Sequence, residues 1–327
     1  MITKNIALAG HAGTGKTTLM EALLYQGGQI ERMGSVAAGN TVSDYTAEEM
    51  KRHSSVYTAT GHILQNGQKI NLLDTPGMFD FAGSMVQGIS AADCVLITVS
   101  GKSGVRVGTK KAYRAAEGKP RMFVVTKLDD ENANFYNVLT DLKSTFGPTV
   151  CPVVVPVIVD RKVDSYINLI EMKAYRYNQN GKAEEIPMPT AELSEKLSYR
   201  VDGLIQAFSE AVAETDEELF EKFFSGEEFS QKERVDGIHK GMKDGTITPV
   251  ACVSAQNMEG IDLLCKELEL LVPTVGETDE IPAETASGEL TVLHPAAGEP
   301  HRVLQATERA GRARTGNRPA RGGGDRL

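Results

Sequence analysis

Eight residues near the start of the chain follow the spacing Gly-x-x-x-x-Gly-Lys-Thr, from Gly10 to Thr17. An apolar run at residues 5–9 precedes this loop and predicts a buried strand, and residues 17–25 follow it with the character of a helix. Backbone N–H groups of such a loop point inward at phosphates, and the positive N-terminal end of the next helix favours the same negative charge. The spacing therefore predicts a strand–loop–helix unit that binds a nucleotide.

Two side chains of this loop have specific expected roles. We expect Lys16 to reach the β- and γ-phosphates and the Thr17 hydroxyl to ligate Mg²⁺. A plain glycine-rich turn is the alternative interpretation, and the later motifs disfavour it. The predicted phosphate-binding residues are Gly10, His11, Ala12, Gly13, Thr14, Gly15, Lys16, Thr17 and Thr18.

A second motif, Asp74-Thr-Pro-Gly77, ends a strong predicted strand at residues 69–74. In phosphate-loop proteins an Asp at this point holds Mg²⁺ through a water, so Asp74 is a predicted metal ligand. The Gly77 N–H is expected to bond the γ-phosphate only while that phosphate is present. Lys16 and Gly77 are therefore the predicted catalytic groups.

The polar segment at residues 44–56 falls where a mobile loop would close over the γ-phosphate. Ser55 is its candidate second hydroxyl ligand for Mg²⁺, which makes Thr17, Ser55 and Asp74 the predicted metal set. His53 has two interpretations, a catalytic base or a solvated loop histidine, and the second is the default.

Two further motifs indicate which base is bound. Thr126-Lys-Leu-Asp129 follows a predicted strand at residues 122–126, and Asp129 is expected to accept hydrogen bonds from guanine N1–H and its exocyclic amine. The Lys127 stem is expected to lie over the base, with Thr126 beginning the motif. After a strand at 248–253, Ser254-Ala255 supplies the last base contact, the Ala255 N–H to guanine O6. Adenine offers neither donor to a buried carboxylate, which disfavours an ATPase or a small-molecule kinase.

Apolar runs alternate with helical patterns along the chain, so we predict an α/β fold with a mainly parallel sheet and helices on both faces. Asn66-Gly67 predicts a hairpin turn and hence one antiparallel edge pair. Predicted strands are residues 5–9, 56–64, 69–74, 94–99, 122–126, 150–159 and 248–253, and predicted helices are residues 17–25, 82–91, 110–116, 133–146 and 261–271.

Residues 160–247 differ in character and form a predicted α+β insertion, because a sheet strand and a base motif follow them. A strand pair (170–177 and 182–186) is expected around Asn180-Gly181, followed by acidic amphipathic helices. The predicted helices cover residues 192–213, 216–224 and 231–243, with capping boxes at Thr215/Glu218 and Ser230/Glu233.

The chain divides into three predicted parts: a GTP-binding domain at 1–273, a linker and the start of a second β domain at 274–298, and an Arg/Gly-rich tail at 299–327. The tail holds seven Arg and no Lys, whereas Lys outnumbers Arg before it. A nucleic-acid-binding tail is one interpretation. A disordered, truncated or frame-shifted end without an evolved role is the favoured one.

Composition limits the remaining classes of function. A net charge of −9 argues against an isolated nucleic-acid surface, and no apolar stretch approaches the roughly 18 residues of a membrane span. The start of the chain predicts neither a signal nor a transit peptide. The cysteines show no metal-ligand spacing, so we expect four buried free thiols in a cytoplasmic protein.

With these motifs in this order, the chain resembles translational GTPases, most closely elongation factor G and its diverged paralogues. The resemblance runs from Met1 to about Pro273 and includes stretches beyond the nucleotide motifs, at 74–81, 126–135, 170–175 and 211–219. It implies binding of GTP or GDP with Mg²⁺, and GTP hydrolysis coupled to ribosome movement or to a related task on the ribosome.

The chain departs from the family pattern at four places. Met78 stands where elongation factor G usually has the His that orients the attacking water, and Thr126 stands in place of Asn. Ser55 stands where the family has Thr, and Arg52-His-Ser54 stands where the family has Arg-Gly-Ile. Gly13 stands where the main branch of the family often has Asp. Since the family continues through further domains, we expect an incomplete copy that does not perform translocation alone.

Three functions follow from the resemblance and the departures. The first is a GTPase in translation, of which a ribosome-protection factor of the tetracycline-resistance type is a variant. The second is a GTP-binding switch with little turnover, because a thioether at Met78 positions water poorly. The third is a truncated fragment with no cellular role, suggested by the tail.

Overall fold

A computed structural model describes residues 2–179, 181–189, 192–194, 199–274, 276–277, 281–284 and 290–293. Its centre is a seven-stranded sheet in the order β2-β3-β1-β4-β5-β13-β6, in which every pairing is parallel except that of β2 with β3. The strands of this sheet are β1 (Ile2–Gly10), β2 (Ala59–Gln65), β3 (Gln68–Asp74), β4 (Cys94–Ser100), β5 (Arg121–Thr126), β6 (Val150–Pro152) and β13 (Thr248–Cys252). The predicted α/β class and the hairpin at Asn66-Gly67 are confirmed.

Nine α-helices and a 3₁₀ turn at Phe79–Phe81 lie among the described residues. The helices are α1 (Lys16–Gln26), α2 (Ala47–Arg52), α3 (Ala82–Ala91), α4 (Val107–Ala115), α5 (Phe135–Phe146), α6 (Val201–Ala213), α7 (Glu217–Phe224), α8 (Gln231–Asp244) and α9 (Ile261–Leu271). None of these helices is long and apolar enough to cross a membrane. The central strands β4 and β13 are buried along their whole length, as expected for parallel strands covered on both faces.

The prediction of one strand at 150–159 is wrong, because the chain changes sheets at Val153. β6 lies in the central sheet, whereas β7 (Val154–Val159) begins a second, antiparallel sheet. The Val153 N–H donates to Val250 O at 2.9 Å, and its carbonyl accepts from Leu169 N at 2.9 Å. Val153 is therefore hydrogen-bonded to both sheets.

The second sheet belongs to the inserted segment and has the order β10-β9-β8-β7. Its other strands are β8 (Lys162–Asn168), β9 (Lys173–Tyr177) and β10 (Ala183–Ile186). The strand pair predicted around Asn180-Gly181 is present as β9 and β10, but the prediction missed β8 and placed the first strand three residues too early. A non-glycine residue with positive φ, Met172, ends the turn between β8 and β9.

The start predicted for the first helix of the insertion is wrong. Instead of a helix from residue 192, a short antiparallel pair forms between β11 (Glu192–Ser194) and β12 (Tyr199–Arg200), and α6 begins only at Val201. The helical apolar spacing continues back to residue 193, so periodicity alone did not locate the N-terminus.

The predicted capping box at Thr215/Glu218 is also wrong, because Asp216 caps α7 by accepting from Glu218 N at 3.0 Å. The Thr215 hydroxyl instead donates to Val212 O at 2.7 Å and closes the end of α6. The capping box at Ser230/Glu233 is confirmed at the start of α8.

A buried polar pair joins the insertion to the last helix of the central domain. Glu267 of α9 is 1% exposed, and its Oε1 accepts from Asn168 Nδ2 at 2.8 Å. Its other oxygen has no hydrogen-bond partner among the described residues. Burial raises the pKa of Glu267 to about 8, with the Glu171 charge adding to the rise and Lys266 opposing it.

The four cysteine thiols are buried and free, as predicted. Burial raises the pKa of Cys94, Cys151 and Cys265 to about 12. Thiols in this state are inert, because the thiolate is the reactive form.

Beyond residue 277 the structure describes an antiparallel pair, β14 (Ile281–Glu284) with β15 (Leu290–Leu293). The domain boundaries predicted there remain predictions. The Arg/Gly-rich tail at 299–327 lies outside the described residues.

Candidate functional site

The glycine-rich loop connects β1 to α1 through backbone conformations that favour glycine. Gly13 and Gly15 have φ of +76° and +87°, in the left-handed region. Gly10 has φ of +144°, and a Cβ there would lie 2.6 Å from Thr98 O. The spacing of glycines is thus required both by the turn and by the close approach of β4.

The loop forms one wall of a cavity of about 220 Å³. The lining residues are Ala12, Gly13, Gly15, Lys16, Thr17, Thr18, Val36, Asp44, His53, Ser54, Ser55, Gly77 and Lys127. Three predicted phosphate-binding residues, Gly10, His11 and Thr14, are outside this lining set. The Thr14 hydroxyl instead lies 2.7 Å from that of Thr98 and fixes the loop on β4.

The two predicted catalytic groups lie next to each other. The Lys16 ammonium is buried and donates to His11 O at 3.1 Å. Burial lowers the pKa of Lys16, whereas the negative charges of Asp74 and Asp44 raise it. A Cβ on Gly77 would lie only 2.5 Å from Lys16 Nζ, so glycine is the residue that allows this approach.

The three predicted metal ligands also come together beside the loop. The Thr17 hydroxyl donates to Asp74 Oδ2 at 2.8 Å and lies 3.2 Å from the Ser55 hydroxyl. The other oxygen of Asp74 is buried without a hydrogen-bond partner among the described residues. Burial raises the pKa of Asp74 to about 6, and the Lys16 ammonium opposes this rise.

Sequence reasoning missed Asp44, a second buried carboxylate of the cavity. It is 3% exposed, and within the described part of the chain neither of its oxygens meets a partner in hydrogen-bonding geometry. Burial raises its pKa, whereas Ser55 and Lys16 lower it. Its setting in a polar segment gave no signal of burial.

The segment predicted as a polar mobile loop contains the helix α2. The helix is short, and its only sequence signal was the capping box at Thr46 and Glu49, which the structure contains. Glu49 is 1% exposed, and its Oε1 also accepts from Val56 N at 3.0 Å and Tyr57 N at 3.1 Å. These hydrogen bonds lower the pKa of Glu49 against the effect of burial.

A further missed carboxylate, Glu21 of α1, holds the part of the chain that precedes this segment. Its Oε2 accepts from Gly34 N at 2.7 Å, and its Oε1 accepts from Val42 N at 2.6 Å. Glu21 lies one helical turn after Thr17, on the same face of α1. The phosphate loop and the stretch from Gly34 to Val42, which contributes Val36 to the cavity lining, are therefore joined through one helix.

His53 lines the cavity, and Met78 directly follows the lining residue Gly77 in the chain. His53 has φ of +50°, and its Nδ1 lies 2.9 Å from Val36 O. Met78 is 37% exposed, and the adjoining Phe79 ring packs 5.7 Å from that of His11. A thioether at this point offers only a weak hydrogen-bond acceptor.

The predicted base-binding residues are attached to the phosphate loop by Thr126. The Thr126 hydroxyl donates to Thr14 O at 2.6 Å. Lys127, with φ of +59°, places Cε 3.6 Å from the position that a Cβ on Gly15 would occupy. The hydroxyl at 126 thus connects the two motifs although the family's amide is missing.

Asp129 and Ser254 come from loops after β5 and β13, two neighbouring strands of the sheet. The Ser254 hydroxyl donates to Asp129 Oδ1 at 2.8 Å, and Ala255 is buried beside it. This arrangement leaves a carboxylate held in a fixed orientation at the same sheet edge as the phosphate loop. It suits recognition of a base with adjacent N–H donors.

Comparison with known proteins identifies the family. The model of the elongation factor Tu GTP-binding domain matches residues 2–274. The chain belongs to this family. The resemblance to translational GTPases is thereby confirmed, and residues 2–274 form a GTP-binding domain of the translation-factor type.

Among relatives, an elongation factor G-like protein of Mycobacterium tuberculosis is 33% identical over 261 residues, 79% of this chain and 35% of the relative. One of Thermotoga maritima is 31% identical over 263 residues, 80% of this chain and 36% of the relative. A crystal structure of a Thermus thermophilus protein matches with a TM-score of 0.77 and 39% identity, covering 84% of this chain and 41% of that one. The chain thus spans little more than a third of the curated relatives' length.

Proposed function

We propose that the chain binds GTP with Mg²⁺ and hydrolyses it slowly, as the GTP-binding part of a ribosome-associated translation factor. The observation that carries the proposal is the meeting of Thr17, Ser55 and Asp74 beside the phosphate loop. Such a set suits a nucleoside triphosphate bound together with a hard cation. The ribosome is proposed as partner because the relatives are named elongation factor G-like proteins.

The residues beside the loop fit Mg²⁺ by their donor chemistry. Every candidate donor atom is an oxygen. Asp74 Oδ1 and the Asp44 carboxylate are buried without hydrogen-bond partners in the described part of the chain. Within the same residues, no three His, Cys, Asp or Glu side chains gather as a metal site. Thr17 and Ser55 would therefore hold the ion by their hydroxyls together with phosphate oxygens, and Asp74 and Asp44 through waters. When bound, Mg²⁺ supplies charge stabilisation at the phosphates.

Base recognition is assigned to Asp129 and is tested by Asp129→Asn. An amide at 129 presents a donor where guanine also presents one, whereas xanthine presents an acceptor there. We expect the variant to prefer XDP and XTP over GDP and GTP in competition with a fluorescent nucleotide. Ser254→Ala is the companion variant, because it removes the hydroxyl that donates to Asp129 Oδ1 and keeps the carboxylate itself. A GTP/XTP preference in Asp129→Asn equal to that of the unchanged chain would remove the assignment.

Hydrolysis is expected to be slow because Met78 replaces a group that can position water. Met78→His should raise the single-turnover rate roughly 10²-fold, which is the usual contribution of a positioned acid–base group. Met78→Leu is the matched control, since it keeps the apolar volume and adds no polar atom. Nucleotide affinity should be the same in all three proteins.

Met78 also favours the second candidate, a GTP-binding switch with little turnover. Single-turnover hydrolysis with and without ribosomes separates the two. A ribosome-stimulated rate in the unchanged chain supports the GTPase. Tight GTP binding with no stimulation supports the switch, and rescue by Met78→His alone would assign the loss of rate to that side chain.

A further inference from the structure

The inserted sheet reaches the guanine side of the nucleotide site through a buried tyrosine. Tyr166 of β8 is 1% exposed, and its hydroxyl donates to Glu259 Oε2 at 3.0 Å. The ring of Tyr166 meets that of Tyr177 edge-on, with centroids 5.3 Å apart. The hydroxyl is therefore held by packing on its own sheet.

Glu259 closes the loop that carries the predicted base contacts. Its N–H donates to Ser254 O and its carbonyl accepts from Ser254 N, both at 3.0 Å. Between these residues, Met258 has φ of +60°, a conformation that non-glycine residues adopt at a cost. Ser254 in turn orients Asp129 through the 2.8 Å hydrogen bond. A continuous series of contacts thus runs from Tyr166 to the Asp129 carboxylate.

Two more contacts join the insertion to the same region. The Tyr177 hydroxyl donates to Asp262 Oδ1 at 2.5 Å, in the first turn of α9 directly after the loop. At the β9–β10 turn, Gly181 approaches so closely that a Cβ there would lie 2.6 Å from Met258 Cβ. The insertion therefore contacts the base loop at Met258 and Glu259, and contacts α9 at Asp262 where the chain leaves the loop.

We propose that the inserted sheet positions the guanine pocket, with Tyr166 acting through Glu259 to fix the loop from which Ser254 orients Asp129. Tyr166 is a positioning residue for base selectivity, and it touches neither phosphate nor base. The proposal rests on the role of Asp129 in base recognition given above. It assigns to the inserted sheet a role in nucleotide selection that its own sequence did not suggest.

Tyr166→Phe tests the proposal in the full-length chain, because it keeps the ring and removes the hydroxyl. Dissociation constants for GDP and ADP are measured by competition with a fluorescent GDP analogue. We expect the GDP/ADP selectivity to fall about tenfold, as for loss of one buried hydrogen bond to a carboxyl group. ADP affinity should stay unchanged, because the phosphate loop is not altered. General destabilisation would instead weaken both nucleotides together.

Tyr175→Phe is the matched control. Tyr175 pairs with Tyr166 across β8 and β9, and its hydroxyl also donates to a carboxylate, Glu171 Oε2, at 2.6 Å. Neither Tyr175 nor Glu171 belongs to the base loop, so this substitution should leave the GDP/ADP selectivity unchanged.

Glu259→Ala removes the acceptor of the same hydrogen bond and should reproduce the loss of selectivity. It therefore tests the proposal even if the Tyr166→Phe protein fails to fold. The double variant should be no worse than either single variant. A selectivity change below twofold in both single variants, or losses that add in the double variant, would overturn the proposal. Asp129→Asn tests the proposed function separately. If this variant does not prefer XDP over GDP, the assignment of Asp129 to base recognition is wrong.

Discussion

Glu267 allows a quantitative test of how the insertion is joined to the central domain. Its carboxyl is buried in α9 against Asn168, and burial raises its pKa from 4.5 to about 8. The folded protein therefore retains a proton that the unfolded chain releases between those two pH values. Stability contributed by this proton is complete below pH 4.5 and is lost as pH rises toward 8.

The size of the effect follows from linkage. Each pH unit inside this window lowers the free energy of unfolding by at most about 1.4 kcal/mol, and the whole window gives an upper limit of about 5 kcal/mol. Gln at position 267 keeps the oxygen that accepts from Asn168 Nδ2 and carries no charge at any pH. We therefore expect Glu267→Gln to be within about 1 kcal/mol of the unchanged protein at pH 5 and to exceed its stability by about 2–5 kcal/mol at pH 9.

Thermal unfolding followed by circular dichroism at pH 5, 7 and 9 measures this difference. For a domain of this size, we expect the variant's Tm to be roughly 4–10 °C higher at pH 9 and within about 2 °C at pH 5. Glu221→Gln, on the exposed side of α7, removes an acidic charge without burial and should give a curve parallel to that of the unchanged protein. A constant difference between Glu267→Gln and the unchanged protein across pH would refute the reasoning.

Three further predictions concern the nucleotide site. Thr126→Val removes the hydroxyl that donates to Thr14 O and should weaken GDP about tenfold by calorimetric titration, with Thr126→Asn restoring affinity; equal affinity in the Val variant would make this contact dispensable. Glu21→Gln leaves one of the two N–H groups, of Gly34 or Val42, without an acceptor, so the stretch between them should be cut faster by protease, and equal cleavage rates would argue against this anchor. Gly77→Ala places a methyl 2.5 Å from Lys16 Nζ and should weaken GTP more than GDP, whereas equal losses would separate Gly77 from the γ-phosphate.

The sequence predicted the central domain well because its signals are local. The glycine spacing of the phosphate loop requires a strand before it and a helix after it, and both are present as β1 and α1. The strand end at Asp74 and the loop after β5 that carries Asp129 were also predictable, since polar residues follow uninterrupted apolar runs there.

The insertion was less predictable because distant pairing determines it. The residues before and after Val153 in the run at 150–159 are equally apolar, so composition does not mark a break there. The change of sheet is visible only in the hydrogen-bond partners of Val153, which are Val250 and Leu169. The buried acids Asp44, Glu21 and Glu49 were missed for a related reason: a carboxylate is normally solvated, and the backbone amides that hold two of these three come from remote positions.

The junction at Val153 has a thermodynamic consequence. The N–H and the carbonyl of one residue bond the two sheets, so neither sheet can separate from the other without breaking a buried main-chain interaction. Denaturant melting of the insertion and of the nucleotide-binding core should therefore coincide in a single cooperative step, with native-state hydrogen exchange giving the same opening energy for β7 and β13.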